Sequence, residues 1–279
     1  CSTALMAVSI NYVRHKLVKQ EFFLRQELQE ARDSLWSEME LAKRIQTALL
    51  PNKQQFRGYE IAATMIPAQE VGGDYYDVLQ YDGKVIIGVG DMTGHGLESS
   101  VVMLMAQTAV RTLAAGGVHD PVRFLTILNR AIYDNLQRIE SYKNLTFMIS
   151  HYEAGELMIC GQHEEMLLVR KAQKQVERID TIDLGFPIGL EGDIEDFLKP
   201  HTVHLEPGDT VILYTDGIPE AEDSQGNYYG LERLCTQVLT HIHESVQALH
   251  DNILEDVYAH IADHQVYDDI TLMVIRRKA

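Results

Sequence analysis

The chain has 279 residues, 46% hydrophobic and 23% charged, which suffices for one large domain or two small ones. Its formal net charge of −17 argues against a nucleic-acid partner, because phosphate binding needs a basic face. The three cysteines, Cys1, Cys160 and Cys235, lack zinc-finger, redox-pair or disulfide-framework spacing, so a reducing, cytoplasmic compartment is expected.

No run of 18 apolar residues occurs, so no segment is expected to span a bilayer. Residues 1–10 still carry no charge and are closely followed by Arg14, His15 and Lys16. That pattern fits the cytoplasmic end of a membrane helix or an ordinary helix. The absence of an initial Met suggests the C-terminal part of a larger protein, with an upstream sensor and, in one reading, a membrane tether.

From about Tyr12 to Leu50 there is no Gly or Pro. Leu24, Leu28, Ala31, Leu35, Glu38, Ala42, Ile45 and Leu49 recur in steps of four and three. This is a heptad seam with one polar interruption at Glu38, and Pro51 ends it. Residues 1–50 are therefore expected to be a helical linker, and 51–279 the functional domain. A helix this long rarely finds one globular surface to cover it, which favours a homodimer through this helix over packing on the following domain.

After Pro51 the pattern shifts to strands and hairpins. Tyr59–Ile66 predicts a strand, and 75–81 with 84–91 a hairpin turned at Asp82-Gly83. Residues 97–115 predict a helix closed by Gly116-Gly117, and 121–138 a second, with Asp120 as N-cap and Pro121 in its first turn. Residues 145–152 and 156–160 predict a hairpin turned at Ala154-Gly155, and 166–171 and 175–180 continue the meander. Helices follow over 230–243 and 245–263, and a last strand over 272–276. Hairpins dominate, so the expected class is α+β with mostly antiparallel sheets.

Four acidic signatures stand out: Gly72-Gly73-Asp74, Gly90-Asp91-Met92-Thr93-Gly94-His95-Gly96, Tyr214-Thr215-Asp216-Gly217 and Asp268-Asp269-Ile270-Thr271. Three adjoin apolar runs that read as buried strands. Two carboxylates ~4 Å apart repel by roughly 4 kcal/mol at an effective dielectric near 20. Four brought together would need a cation, so a divalent-metal site is expected, although each signature alone also reads as a turn. The phosphate-loop patterns are absent. His241 and His243 are two apart on a helix and make a poor metal pair. Ser99 and Ser100 lack a triad context. Glu220 and Glu222 read as surface groups, and Met103 and Met105 as core.

In this order, the signatures join Ile45-Gln46 to Leu50-Pro51, Val71 to Asp77, Pro187-Ile188-Gly189-Leu190, Glu206-Pro207-Gly208-Asp209 and Ile218-Pro219-Glu220-Ala221. From about Met39 to Arg277 the chain resembles the SpoIIE/RsbU-type branch of the PPM (protein phosphatase 2C-like) serine/threonine phosphatases. The resemblance implies a four-layer α/β/β/α sandwich of two antiparallel sheets flanked by helices, here preceded by the long N-terminal helix. It also implies two divalent ions, Mn2+ or Mg2+, between the sheets. Asp74 would bridge both. Asp91 and the Met92 carbonyl would serve one ion; Asp216 and Asp268 would serve the other, with Asp269 the second choice. All-oxygen ligation selects such hard ions over zinc.

The activity implied is hydrolysis of phosphoserine or phosphothreonine on a bacterial signalling protein, such as a STAS-type anti-sigma antagonist, by two-metal activation of water. The alternatives are a pseudophosphatase acting as a binding module and a phosphohydrolase of small molecules. Two departures stand out. Relatives carry Asn-Ala-Gly-His-x-Pro where this chain has Cys160-Gly161-Gln162-His163-Glu164-Glu165, which keeps His163 but adds acid and leaves substrate handling open. No counterpart of the phosphate-gripping arginine of larger relatives is evident; Arg57 is the nearest candidate. His95 could reach the phosphate or simply hold its turn.

Overall fold

The computed structural model describes residues 2–51, 55–56, 58–81, 83–94, 96–153, 155–173 and 175–278. The turn residues Asp82 and Ala154 and the candidates Arg57 and His95 lie outside the described residues. The chain divides into two compact units, Cys1–Thr47 and Ala48–Ala279.

The first unit belongs to one helix, α1 (Ser2–Leu49), 48 residues long. Glu21 and Arg25, one turn apart, form an exposed ion pair of 2.6 Å, a small local contribution. The seam residues Leu24, Leu28 and Leu35 are 67%, 70% and 62% exposed in the single chain. No helix among the described residues is long and apolar enough to cross a membrane.

The second unit contains two antiparallel sheets. One runs β1 (Gln55–Phe56), β2 (Tyr59–Ile66), β11 (Ile270–Arg277), β10 (Thr210–Tyr214), β7 (Met166–Val169) and β8 (Val176–Ile179). The other runs β3 (Tyr75–Tyr81), β4 (Lys84–Met92), β5 (Leu145–Glu153), β6 (Glu156–Gln162) and β9 (His201–His204).

Strand periodicity builds the layers. On β4, Val85, Ile87 and Val89 face the space between the sheets, where they meet Met148, Leu168, Val211, Leu213 and Met273. Ile86, between them, faces the opposite way, against α2 (Leu97–Ala115) and α3 (Pro121–Arg138), with Met103, Val110, Phe124 and Leu128. On β10, Ile212 and Tyr214 likewise turn outward to α4 (Leu231–His241) and α5 (Val246–Ile261), meeting Leu234, Leu249 and Ile253. Three apolar cores thus separate four layers, α/β/β/α, and each fully buried Leu, Ile or Phe contributes about 1.5–3 kcal/mol. Caps set the helix starts: Asp120 accepts the Arg123 N–H at 2.7 Å, and Ser245 accepts that of Ala248 at 3.2 Å.

Two features differ from the sequence reading. β7 and β8 do not continue the meander of β5 and β6; β7 pairs with β10 in the other sheet. The edge strand β9, with one buried apolar residue, Val203, has too little periodicity to be read locally and forms by pairing with β6.

Candidate metal centre

The site forms where strand ends from both sheets meet. Asp74 precedes β3, Asp91 and Met92 end β4, Asp216 lies two residues past β10, and Asp268 and Asp269 lead into β11. The register of β10 with β11, Tyr214 opposite Leu272, brings the last two segments together. β4 pairs with β3, Gly90 opposite Tyr75, and so places Asp91 beside Asp74.

Asp74 is 1% exposed. Its Oδ2 accepts the hydroxyls of Thr215 at 2.8 Å and Thr271 at 2.5 Å, while its Oδ1 is buried without a partner. Burial, then Asp91 and Asp269, push its pKa well above the usual carboxylate range, against the two threonine hydrogen bonds. Burial with Asp216 and Asp268 raises Asp91 to about 8. Burial with Asp268 and Glu220 raises Asp216 to about 6. Asp216 Oδ1 is also buried without a partner. The carboxylates thus lie within electrostatic reach of one another, but among the described residues no three acidic, His or Cys groups converge on one point as placed. Two orphaned carboxylate oxygens and an all-oxygen donor set suit the chemistry of a hard divalent cation.

Asp269 is placed differently from its neighbour. Its Oδ1 accepts the Ala68 N–H at 2.7 Å, and its Oδ2 accepts those of Gly73 at 2.5 Å and Asp74 at 3.3 Å. Both oxygens are therefore committed to the backbone that carries Asp74. Close backbone approach supports the same corner. A methyl group on Gly217 would overlap the Asp269 carbonyl, and one on Gly73 would lie 3.4 Å from the Met92 carbonyl.

His163 ties the two sheets beside this corner. Its Nε2–H donates to the Tyr214 carbonyl at 3.0 Å, and its Nδ1 accepts the Thr146 hydroxyl at 3.0 Å. Thr146 stands opposite Asp91, and Tyr214 ends the strand leading to Asp216. Burial lowers the His163 pKa to about 4, which keeps the ring neutral. Glu164, next in the chain, is raised by burial and by Asp216 and the exposed Glu220.

Ser99 and Ser100 are occupied elsewhere. Ser99 donates to the Gly94 carbonyl at 2.6 Å and Ser100 to that of Gly72 at 2.9 Å. Sequence reasoning missed Arg111, which grips buried Asp77 at 2.7 Å and also donates to the Leu49 carbonyl at 2.9 Å. Nothing local on α2 signals it. Thr215 and Thr271 stood inside quoted motifs, but their shared target, Asp74, lies in a distant segment.

A family model described as stage II sporulation protein E (SpoIIE) matches residues 81–278. The chain is 29% identical over 259 residues to phosphoserine phosphatase RsbU of Bacillus subtilis, covering 91% of this chain and 74% of that protein. Among solved structures it resembles the SiaA-PP2C domain of Pseudomonas aeruginosa, with a TM-score of 0.75 and 22% identity over 88% of this chain and 97% of that one. The RsbU and RsbW domains of Rv1364c from Mycobacterium tuberculosis follow, with a TM-score of 0.67 and 24% identity over 80% of this chain and 60% of that one. At these identities the structural likenesses carry the fold.

Proposed function

The chain belongs to the SpoIIE family of PP2C-type serine/threonine phosphatases, and on that premise we propose that it hydrolyses phosphoserine or phosphothreonine on a signalling protein, with two divalent cations as cofactors. The observation that carries this reading is the pair of buried, partnerless oxygens, Asp74 Oδ1 and Asp216 Oδ1, in a cluster of carboxylates gathered from four segments. Asp74, Asp91, the Met92 carbonyl, Asp216 and Asp268 would hold the ions. Bound there, Mn2+ or Mg2+ supplies charge neutralisation at the phosphoryl group and acidifies water for in-line attack.

The chain's own residues organise that chemistry. Thr215 and Thr271 lock one oxygen of Asp74 and leave the other for a cation. Asp269 fixes the loop on which Asp74 sits and is a positioning residue, not a ligand. The neutral His163 holds the strands of Asp91 and Asp216 at a set spacing without adding positive charge. With Ser99 and Ser100 donating to backbone carbonyls, neither is poised as a covalent nucleophile, which favours direct attack by water.

The substrate class extends from RsbU, whose name specifies phosphoserine; a phosphorylated STAS-type antagonist is the specific candidate. Control through the N-terminal helix is supported by Arg111, which holds both the carbonyl of Leu49, the last residue of α1, and Asp77, three residues past Asp74. The exposed apolar seam of α1 favours pairing with a second copy.

Manganese-dependent hydrolysis of p-nitrophenyl phosphate tests the reading. Wild type is expected to turn over, and Asp91→Asn to lose at least about 100-fold of that rate. Equal rates, or none in either folded protein with metal present, overturn it and favour a binding module.

A further inference from the structure

The strands that carry Asp216 and Asp268 at one end carry a second site at the other. β10 begins at Thr210 and β11 closes at Arg276 and Arg277, and Thr210 pairs with Arg276. Beside this far rim lies a cleft of about 220 Å³ lined by Val169, Arg170, Lys171, Gly208, Ile242, His243 and Arg276. Four of these are basic and none is acidic, in a chain of net charge −17. At ~3.3 Å per residue, the five residues of β10 put roughly 15 Å or more between the cleft and the carboxylates.

The charges in the cleft are unevenly compensated. Arg170 is paired with Asp209 at 3.0 Å and Glu177 at 3.4 Å. Arg276 has no such partner among the described residues: it donates to the Thr210 hydroxyl at 2.9 Å and to the carbonyls of Glu244 and Ile242 at 2.6 and 2.8 Å, all uncharged acceptors. Glu60, its cross-strand neighbour, is exposed and forms no ion pair with it. Burial lowers the Arg276 pKa, outweighing the opposing pull of Glu60. Lys171 and His243 are exposed at the cleft, and among the described residues neither the ammonium nor the ring has a partner. Glu244, nearby, is occupied by His241 at 2.9 Å.

The Glu206-Pro207-Gly208-Asp209 motif, which the metal centre does not use, builds the wall. Asp209 accepts the backbone N–H of Lys171 and of Glu206, each at 3.0 Å. Gly208 sits at φ +94°, and a methyl group there would lie 3.3 Å from Lys171 Nζ and collide with its aliphatic stem. The motif therefore sets the position of Lys171 and keeps space beside it.

We propose that this cleft is an anion site for a phosphate-class ligand, held by Lys171, Arg276 and His243. A dianion there offsets the partly buried guanidinium of Arg276, which forms no ion pair among the described residues, and gives Lys171 a partner.

Calorimetric titration of the full chain in EDTA, with inorganic phosphate and pyrophosphate against chloride at equal ionic strength, tests this. Chelation prevents phosphate from binding through a cation at the other end of the strands. Saturable binding is expected in wild type and in Asp91→Asn, at least tenfold weaker in Lys171→Glu and in His243→Glu, and retained in Lys171→Arg. No saturable binding by either anion, equal heats with chloride, or an unchanged affinity in Lys171→Glu overturns the proposal. Both glutamate variants replace exposed side chains, and unchanged melting confirms that they remain folded.

Discussion

The Asp269 carboxylate accepts the Gly73 backbone N–H at 2.5 Å across 196 residues of chain. Beside it, Asp268 raises the pKa values of Asp91 and Asp216 more than Asp269 does. Adjacent residues of like charge thus stand in different surroundings, in keeping with the proposal that Asp269 anchors a loop and Asp268 serves a cation.

That division predicts opposite phenotypes. Asp269→Ala strands buried N–H groups at Gly73 and Ala68, at about 1–3 kcal/mol each, and should lower the melting midpoint by roughly 5–10 °C. Asp268→Asn should abolish manganese-dependent turnover and shift melting by less than about 2 °C. Calorimetry and a phosphatase assay on both variants decide. A fully stable but inactive Asp269→Asn with an active Asp268→Asn would reverse the assignment.

Metal and protons should compete. Asp91 at about 8 and Asp216 at about 6 bind protons more tightly folded than unfolded. Without metal, their contribution is full below the ordinary carboxylate range and is lost as pH rises through these values. Cation binding requires the deprotonated forms, so the rise in melting midpoint given by Mn2+ should grow from pH 6 to pH 8. A pH-independent rise, measured by scanning fluorimetry, would contradict this.

His163 should behave in the opposite sense. Its folded pKa of about 4 lies below the ordinary value of 6.5. The stability it contributes is complete above pH 6.5 and lost as pH falls toward 4, because the unfolded chain takes up the proton first. In His163→Gln the amide N–H can still reach the Tyr214 carbonyl, without the titration. The stability difference between wild type and this variant should therefore narrow from pH 7.5 to pH 4.5 in urea unfolding. A constant difference would show that the ring does not need to be neutral.

The exposed seam of α1 predicts self-association. Replacing Leu28 and Leu35 together by Lys puts charge on two seam positions, at 70% and 62% exposure in the single chain. Light scattering should show a dimer for wild type and a monomer for the double variant, with the secondary structure of the rest retained. The same mass for both proteins would remove the dimer.

Much of this architecture was legible locally. The helices at Leu97–Ala115 and Pro121–Arg138 and the strand at Tyr59–Ile66 follow the apolar periods and the Gly, Pro and Asp punctuation at their ends. The acidic signatures likewise marked the corner where they meet. β9 and Arg111 were not legible, since one forms only by pairing with β6 and the other matters only because Asp77 lies buried opposite it.

By itself, the amino-acid order determined where the carboxylates and the turns that present them lie along the chain, since both are local chemistry. Three matters were decided by the tertiary structure. β7 pairs with β10 in the sheet of β2 and β11 instead of following β6 in its own sheet. The Asp269 carboxylate lies against the amides of residues 68, 73 and 74. Among the described residues Arg276 forms no ion pair, because the strand and loop around it offer uncharged acceptors. Each depends on groups far apart in the chain, whose proximity local patterns do not encode.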